Sequence, residues 1–460
     1  MGMSTLPLIT HTHADSIVAW RDGKPISAAA FLADVRQVSA MLPASVHLLN
    51  ACADRYRFMV GLAASVLSNK ISLLPPTQTP EMIGQMQQFA PDAFCLTDSE
   101  DCSVALPQVR FPQLVSETGT ETEVASRETF SVPFIDAAQI MAYVFTSGST
   151  GQPRPHVKTW GGVAHSVCAE AQRWGIADGR SHAIIGTVPP QHMYGLESTV
   201  VIVMQSANAM VTGQHFYPAD ICSALEKVPA PRVLVSTPIH LRFLLEATGQ
   251  LPEIGLLVSA TAPLSLALAQ EVERRCHAPL VEIYGCTETG QIASRRLTEG
   301  EEWHLFPDIR FRQENEITLA YGGHIDQPTE MGDVIEMVSE DRFRLHGRKA
   351  DMVNIAGKRN SLAYLNLQLT AIEGVLDGAF FVPDEADSDE LVRLVAFVVA
   401  PSLSSVELMA ALRKRIDAVF LPRPLVFVDA LPRNSTGKLP RSALQALLAQ
   451  TMNQSAGRAT

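Results

Sequence analysis

From Tyr143 to Pro155 the chain reads YVFTSGSTGQPRP, so Thr146, Ser147, Gly148, Ser149, Thr150, Gly151 and Arg154 bring hydroxyls, bare backbone amides and one cation into nine residues. An oligophosphate needs that combination. Successive N–H groups of a Gly-rich turn form a concavity for anions, hydroxyls add neutral donors, and one cation offsets part of the charge. An ordinary Ser/Gly/Thr surface turn has the same composition, and the usual nucleotide patterns GxxxxGKS/T and GxGxxG do not occur, since Gly151 is followed by Gln152. The elements around the stretch have to decide.

Its lead-in, AQIMAYVF, predicts a short buried strand through Ile140, Met141, Tyr143, Val144 and Phe145. Elsewhere strand-like and helix-like runs alternate: SVHLLN before DRYRFMVGLAASVLS, RVLVST before IHLRFLLEAT, IGLLVSA before LALAQEVERRC, then PLVEIYG. That rhythm predicts an α/β fold, with layered subdomains and parallel-rich sheets whose chemistry sits in loops at the carboxyl ends of strands. Three of those loops are polar: STP (236–238), TAP (261–263) and CTETG (286–290). After about residue 350 the alternation shortens to MVNIAG, GAFFVPD and VRLVAFVVA, a helix over SVELMAALRKRIDAVF, PLVFVDALP and the loop PRNSTGKLPR. A large domain over 1–349 and a small, mobile α+β domain over 350–460 are expected.

At 460 residues, 47% hydrophobic and 18% charged, the chain is a folded protein of two or three compact units. A formal net charge of −12 argues against a general nucleic-acid binder. The longest apolar runs, VVIVM (200–204) and LVAFVVA (394–400), fall short of a membrane span of ~20 residues and read as buried strands or helix faces. The N-terminus lacks a basic start followed by an apolar core, and the seven cysteines form no CxxC pair. Neither a zinc site nor a disulfide framework is expected, and a reducing cytoplasm is the default.

Taken in order, these pieces resemble the adenylate-forming superfamily of acyl-CoA and aryl-CoA synthetases, peptide-synthetase adenylation domains and firefly luciferases. YVFTSGSTGQPRP is similar to its phosphate loop, PPQHMYGLE (189–197) to its PxxHxxG element, VSATAPLS to the loop lining acid and adenine, and IYGCTETG (283–290) to its YGxTE. MGDV (331–334) stands for the usual TGD, and Asp333 precedes Arg348 of HGRKAD by the expected 15 residues. AGKR (356–359) and PRNSTGKLPR (432–441) complete a series that covers nearly the whole chain. The shortness of the chain is similar to compact acyl- or aryl-activating enzymes that load carrier proteins.

The resemblance implies that ATP, with Mg2+, converts a carboxylate to a mixed anhydride with AMP, which a phosphopantetheine thiol of CoA or an acyl carrier protein then attacks. Carboxylic acids of pKa ~4 are already ionised. The barrier is therefore electrostatic, an anion approaching the α-phosphate while pyrophosphate leaves, and catalysis means positioning plus placed positive charge. By the same resemblance Ser147, Ser149, Thr150 and Gly151 hold the β- and γ-phosphates, with Thr146 and Gly148 in the same loop and Arg154 where a Lys is more common. Glu288 carries the metal, directly or through water. Tyr284, beside Gly285 and Thr287, stacks on adenine, and Asp333 accepts the ribose hydroxyls with Arg348 nearby. Lys438 bridges the acid's carboxylate and the α-phosphate, a task that suits a mobile point charge. Outside these frames Glu288 would read as a helix-start carboxylate, Asp333 as a turn residue and Lys438 as a solvated loop lysine.

The acid pocket is expected from His192, Tyr194, Ser236, Ser259, Ala260 and Thr261. The HxY spacing of His192 and Tyr194 resembles 4-coumarate ligases and suggests an aromatic acid with a small hydroxylated ring, an aliphatic acid being the other reading; core packing is the plain alternative for both side chains. The thiol arm is expected to pass Gly357, Lys358 and Arg359. Two departures stand out: Ala350 at the expected hinge, and Tyr364 and Asn366 where two glutamates are usual. They keep open a non-catalytic or adenylate-only protein of the same fold. A phosphate-loop ATPase would need GxxxxGKS/T and an Asp after a strand, and has neither.

Overall fold

Strands Ala183–Gly186 and Leu256–Ser259 are buried at every residue, and Arg232–Ser236 at every residue after its first. Such strands must be covered on both faces, as in parallel sheet wrapped by helices. The computed structural model describes residues 4–118, 130–147, 153–246, 251–315, 317–355, 358–383, 394–434, 437 and 439–456. In it these strands are the centre of an eleven-stranded sheet ordered Asp333–Met337, Arg342–Arg348, Trp303–Leu305, Gly290–Arg295, Leu280–Cys286, Leu256–Ser259, Arg232–Ser236, Ala183–Gly186, Ala209–Val211, Ile17–Arg21, Lys24–Ser27. From Leu280–Cys286 to Ile17–Arg21 neighbours run parallel, and the flanks are antiparallel. Helices Pro238–Glu246 and Leu266–Cys276 form the crossovers. The second is opened by Ser265, which accepts the Leu268 N–H, and ends on Arg274 and Arg275, where positive charge suits the helix dipole.

A six-stranded sheet is ordered Pro153–Thr159, Ile140–Ser147, Ile71–Leu74, His47–Asn50, Phe94–Thr97, Gln108–Arg110. It is parallel except for Pro153–Thr159, an edge strand that returns antiparallel along Ile140–Ser147. The strand expected before TSGSTG is present; residues 148–152, between it and the return strand, lie outside the described residues. One apolar core spans the two sheets and contains the fully buried Phe31, Tyr56, Phe58 and Trp160. A second, with Ile185, Leu234, Leu241 and Val272, covers the other face of the larger sheet. VVIVM lies in a buried helical segment that runs from Met193 through a π-helical turn, Leu196–Val201, to Ser206.

The smaller domain is α+β, as expected. Strands Asp377–Phe381, Val395–Val399 and Leu425–Phe427 form a sheet with an apolar core on each face, and helices Leu362–Thr370, Ser405–Arg413 and Arg441–Ala456 belong to the same unit. The helix expected over 405–420 is shorter. It ends at Arg413, and Asp417 accepts the Val419 N–H to open a separate 3-10 turn, Ala418–Phe420, a side-chain bond that competes with helical pairing. All seven cysteines are free. Among the described residues no helix is long and apolar enough to cross a membrane.

Candidate active site

The antiparallel pair that flanks residues 148–152 meets a second hairpin. Leu280–Cys286 and Gly290–Arg295 pair antiparallel, so Thr287, Glu288 and Thr289 form a turn and not the start of a helix. Two side chains of the return strand hold that turn. His156 Nε2 lies 2.9 Å from Thr146 Oγ1 and 3.5 Å from Glu288 Oε1, and Lys158 Nζ donates to the Glu288 carbonyl at 3.0 Å. Residues 156 and 158 share one strand face, which thus links the Glu288 turn to Thr146. Burial pushes the Glu288 carboxyl up, but its own backbone amide, the Cys286 thiol and the charges of His156 and Lys158 outweigh it and hold the group below the usual glutamate range. An ionised, 40% exposed carboxylate suits a hard cation. Arg154 is exposed and pairs in register with Thr146.

Asp333 and Arg348 are register partners on adjacent antiparallel strands, which is what their 15-residue spacing produces. Asp333 Oδ2 accepts the Tyr284 hydroxyl at 2.6 Å. The Tyr284 ring packs against Trp303 and Phe343, which stack on each other 6.3 Å apart, and both centroids lie 5.5 Å from its own. Tyr284 and Asp333, expected at adenine and ribose, are therefore in direct contact.

The residues expected around the acid are also contiguous. Ser236 and Ser259 face each other at the carboxyl ends of neighbouring parallel strands. Tyr194 donates its hydroxyl to the Ser236 carbonyl at 3.1 Å, and Ser236 Oγ is 3.0 Å from Thr187 Oγ1. Ala260 is buried, and Thr261 has φ +76°, a left-handed conformation that costs a β-branched residue about 1–3 kcal/mol and clusters at ligand sites. His192 Nδ1 accepts the Tyr194 N–H at 3.2 Å and caps the turn. In the PxxHxxG element, a Cβ on Gly195 would lie 2.0 Å from the Pro189 carbonyl oxygen, so only glycine closes that turn.

Between the two hairpins lies a cavity of about 220 Å³, lined in part by Lys158, Ser166, Met193, Glu197, Glu288 and His324. None of the six residues expected around the acid lines it, although Met193 and Glu197 come from the same segment. Glu197 is 1% exposed, and its Oε1 accepts the Ser166 hydroxyl at 3.1 Å. Burial lifts its pKa to about 7, against the opposing pull of Lys158, Ser166 and Gln291. Deeper still, Ser198 donates to Glu170 Oε1 at 2.7 Å and receives Gln291 Nε2 at 2.6 Å, while burial and the neighbouring Glu197 push Glu170 well above the carboxylate range. Lys158 is 8% exposed; burial lowers its pKa, and Glu197, Cys286, Glu288 and Asp326 oppose that. Sequence reasoning missed this network. One signal was present: Glu197 is the only charged residue in the run LESTVVIVM.

Gly148, Ser149, Thr150, Gly151, Gly357 and Lys438 lie outside the described residues, and of Ser147, Arg348, Ala350 and Arg359 only the backbone is described. Next to Lys438, Gly437 sits against the first turn of Pro238–Glu246, a Cβ placed on it falling 3.3 Å from Ile239 Cγ2. Arg433 anchors that loop, donating to Asp377 at 2.8 and 2.7 Å and to the Gly437 carbonyl at 2.8 Å. Lys358 pairs with Asp417, and Asn366 Oδ1 accepts the Phe380 N–H within the small domain.

A family model described as AMP-binding enzyme matches residues 15–312, and one described as AMP-binding enzyme C-terminal domain matches residues 369–438. A 4-coumarate–CoA ligase of Rhodobacter capsulatus is 29% identical over 297 residues, 64% of this chain and 73% of that protein. A 2-succinylbenzoate–CoA ligase of Bacillus velezensis is 25% identical over 443 residues, 88% of this chain and 86% of that protein. The crystal structure of ATP-bound MatB from Rhodopseudomonas palustris shares the fold, with a TM-score of 0.78 at 18% identity over 95% of this chain and 97% of that one.

Proposed function

Because the chain belongs to the AMP-binding enzyme family, we propose that it is an acid–thiol ligase acting in two steps. A carboxylate oxygen of the acid attacks the α-phosphorus of ATP, and the bond to pyrophosphate breaks. A phosphopantetheine thiol, of CoA or of an acyl carrier protein, then loses its proton and attacks the acyl carbon, and AMP leaves with the C–O electron pair. The observation that carries this reading is His156 joining Thr146 of the phosphate loop to Glu288. That contact supports a role for Ser147, Ser149, Thr150, Gly151 and Arg154 at the phosphates and for Glu288 at a cation.

Among the described residues no group of three or more His, Cys, Asp or Glu side chains is placed to hold a metal. A Mg2+ ion that keeps waters and takes one carboxylate plus phosphate oxygens needs no such group. When bound by Glu288 and the phosphates it would neutralise charge on the departing pyrophosphate. Asp333 holds the ribose and Tyr284 the base, Lys438 enters on the loop anchored by Arg433, and Gly357 with Lys358 and Arg359 lines the thiol's path.

The acid is aromatic. Two relatives are named for ring-bearing acids, 4-coumarate and 2-succinylbenzoate. We place its ring in the cavity of about 220 Å³, which Met193 reaches from between His192 and Tyr194 although none of the six residues expected around the acid lines it; a dry cavity of ~150 Å³ accepts benzene. The test is ATP–pyrophosphate exchange with 4-coumarate, 4-hydroxybenzoate, benzoate and hexanoate, followed by thioester analysis with CoA and with carrier protein. The aromatic acids should exceed hexanoate at least about tenfold in kcat/KM. Absence of exchange with every acid refutes the reading; exchange without any thioester leaves an adenylate-only enzyme.

A further inference from the structure

We propose that Lys158 and Glu197 form the floor of the acid site and read a hydroxyl at the far end of the ring, the lysine donating to its oxygen and the glutamate accepting its hydrogen. This rests on the acid-activating reading above and adds to it a recognition pair. Lys158 carries three donors, and the Glu288 carbonyl takes one. The carboxylates of Glu197, Glu288 and Asp326 attract the ammonium, yet among the described residues it forms no ion pair. A cation that deep with donors unspent is costly unless a ligand completes it. Glu197 reaches the same cavity with Oε1 bonded to Ser166, and an ionised carboxylate has sites for further donors.

The chemistry of the floor selects the group. A hydroxyl satisfies both side chains at once. A second carboxylate would place negative charge beside Glu197, Glu288 and Asp326, and an apolar substituent would leave the Lys158 donors unpaired. Val163, Met193 and Ile325 supply the apolar part of the lining that a ring needs. Position along the strand fits as well. Lys158 follows Arg154 by four residues, ~13 Å of extended chain, so the floor and the phosphate loop lie at opposite ends of one strand.

The experiment is ATP–pyrophosphate exchange with 4-hydroxybenzoate, benzoate, 4-fluorobenzoate and terephthalate, on the full-length protein and its Lys158→Met and Glu197→Gln variants. The unmodified enzyme should prefer 4-hydroxybenzoate to benzoate and to 4-fluorobenzoate at least about tenfold in kcat/KM. In Lys158→Met, confirmed folded by circular dichroism, that ratio should collapse to within about threefold of unity, with a smaller drop in Glu197→Gln. Exchange with benzoate on the unmodified enzyme establishes acid activation separately, so loss of this proposal does not entail loss of that one. An unchanged ratio in folded Lys158→Met overturns the floor, and a preference for terephthalate overturns the hydroxyl. Should Lys158→Met not fold, equal kcat/KM for 4-hydroxybenzoate and 4-fluorobenzoate in the unmodified enzyme overturns the proposal, and a tenfold difference that shrinks in Glu197→Gln sustains it.

Discussion

Replacing Glu197 by Gln should make the protein more stable at pH 8 and leave it little changed at pH 4.5. In the folded chain the Glu197 carboxyl titrates at about 7, against 4.5 for a free glutamate, because burial disfavours its charge. A group whose folded pKa is raised stabilises below its unfolded value and loses that contribution as pH rises to its folded one. At about 1.4 kcal/mol per unit, the loss between pH 4.5 and 7 is about 3 kcal/mol. Gln keeps the shape, and the Ser166 hydroxyl can turn to accept from its amide as it would from a protonated carboxyl. Histidines 11, 156, 215, 240, 304 and 324, all lowered first by burial, slope the opposite way, since the unfolded chain binds more protons there. They are common to both proteins, so the difference between two urea-denaturation series at pH 4.5, 6, 7 and 8 reports Glu197 together with the two groups coupled to it, Lys158 and Glu170. A difference independent of pH would mean that Lys158 keeps Glu197 ionised throughout, and the account of its burial would be wrong.

Lys438→Ala should slow adenylation by at least ~10² while thioester formation from preformed acyl-AMP changes far less; equal losses in both half-reactions contradict the bridging role. Asp333→Ala should raise the Kd for ATP at least about tenfold, since a charged hydrogen-bond partner is worth about 1.5–3 kcal/mol, and an unchanged Kd in calorimetry removes Asp333 from the ribose. Gly290→Ala should destabilise by about 2–4 kcal/mol in urea, because Gly290 has φ +72° and an added Cβ would lie 2.7 Å from Glu197 Oε1; a cost below about 1 kcal/mol would show that the carboxylate moves aside freely.

What could be read from the sequence was local or evenly spaced. The strand before TSGSTG follows from five apolar residues in six positions, and the opposition of Asp333 to Arg348 from an antiparallel pair of fixed length. Contacts between distant segments were not legible. Strand parity puts His156 and Lys158 on one face, but nothing local says that the face meets Glu288, 130 residues away from Lys158. Likewise Ser166 and Glu197 sit on separate helical segments and meet only after the first core packs. The turn TETG carries no mark that separates a hairpin from a helix start, because Thr and Glu suit both; the pairing of Gly290–Arg295 back on Leu280–Cys286 decides it. The helix over 405–413 was overextended because the apolar pattern continues past the point where Asp417 takes a backbone amide.

The strand Pro153–Thr159 lies at the rim of its sheet, where a run of open donors and acceptors would invite a second chain to add on. Its sequence answers that hazard. Pro153 and Pro155 have the same parity, opposite Ser147 and Phe145, and since the ladder to Ile140–Ser147 is intact, their nitrogens must point away from it. The rim therefore offers no N–H at either position, and the exposed Arg154 adds charge between them. The segment can therefore stand at an open margin without templating aggregation, and Pro155→Val, which restores one outward donor, would lengthen the sticky edge while leaving the inward face untouched.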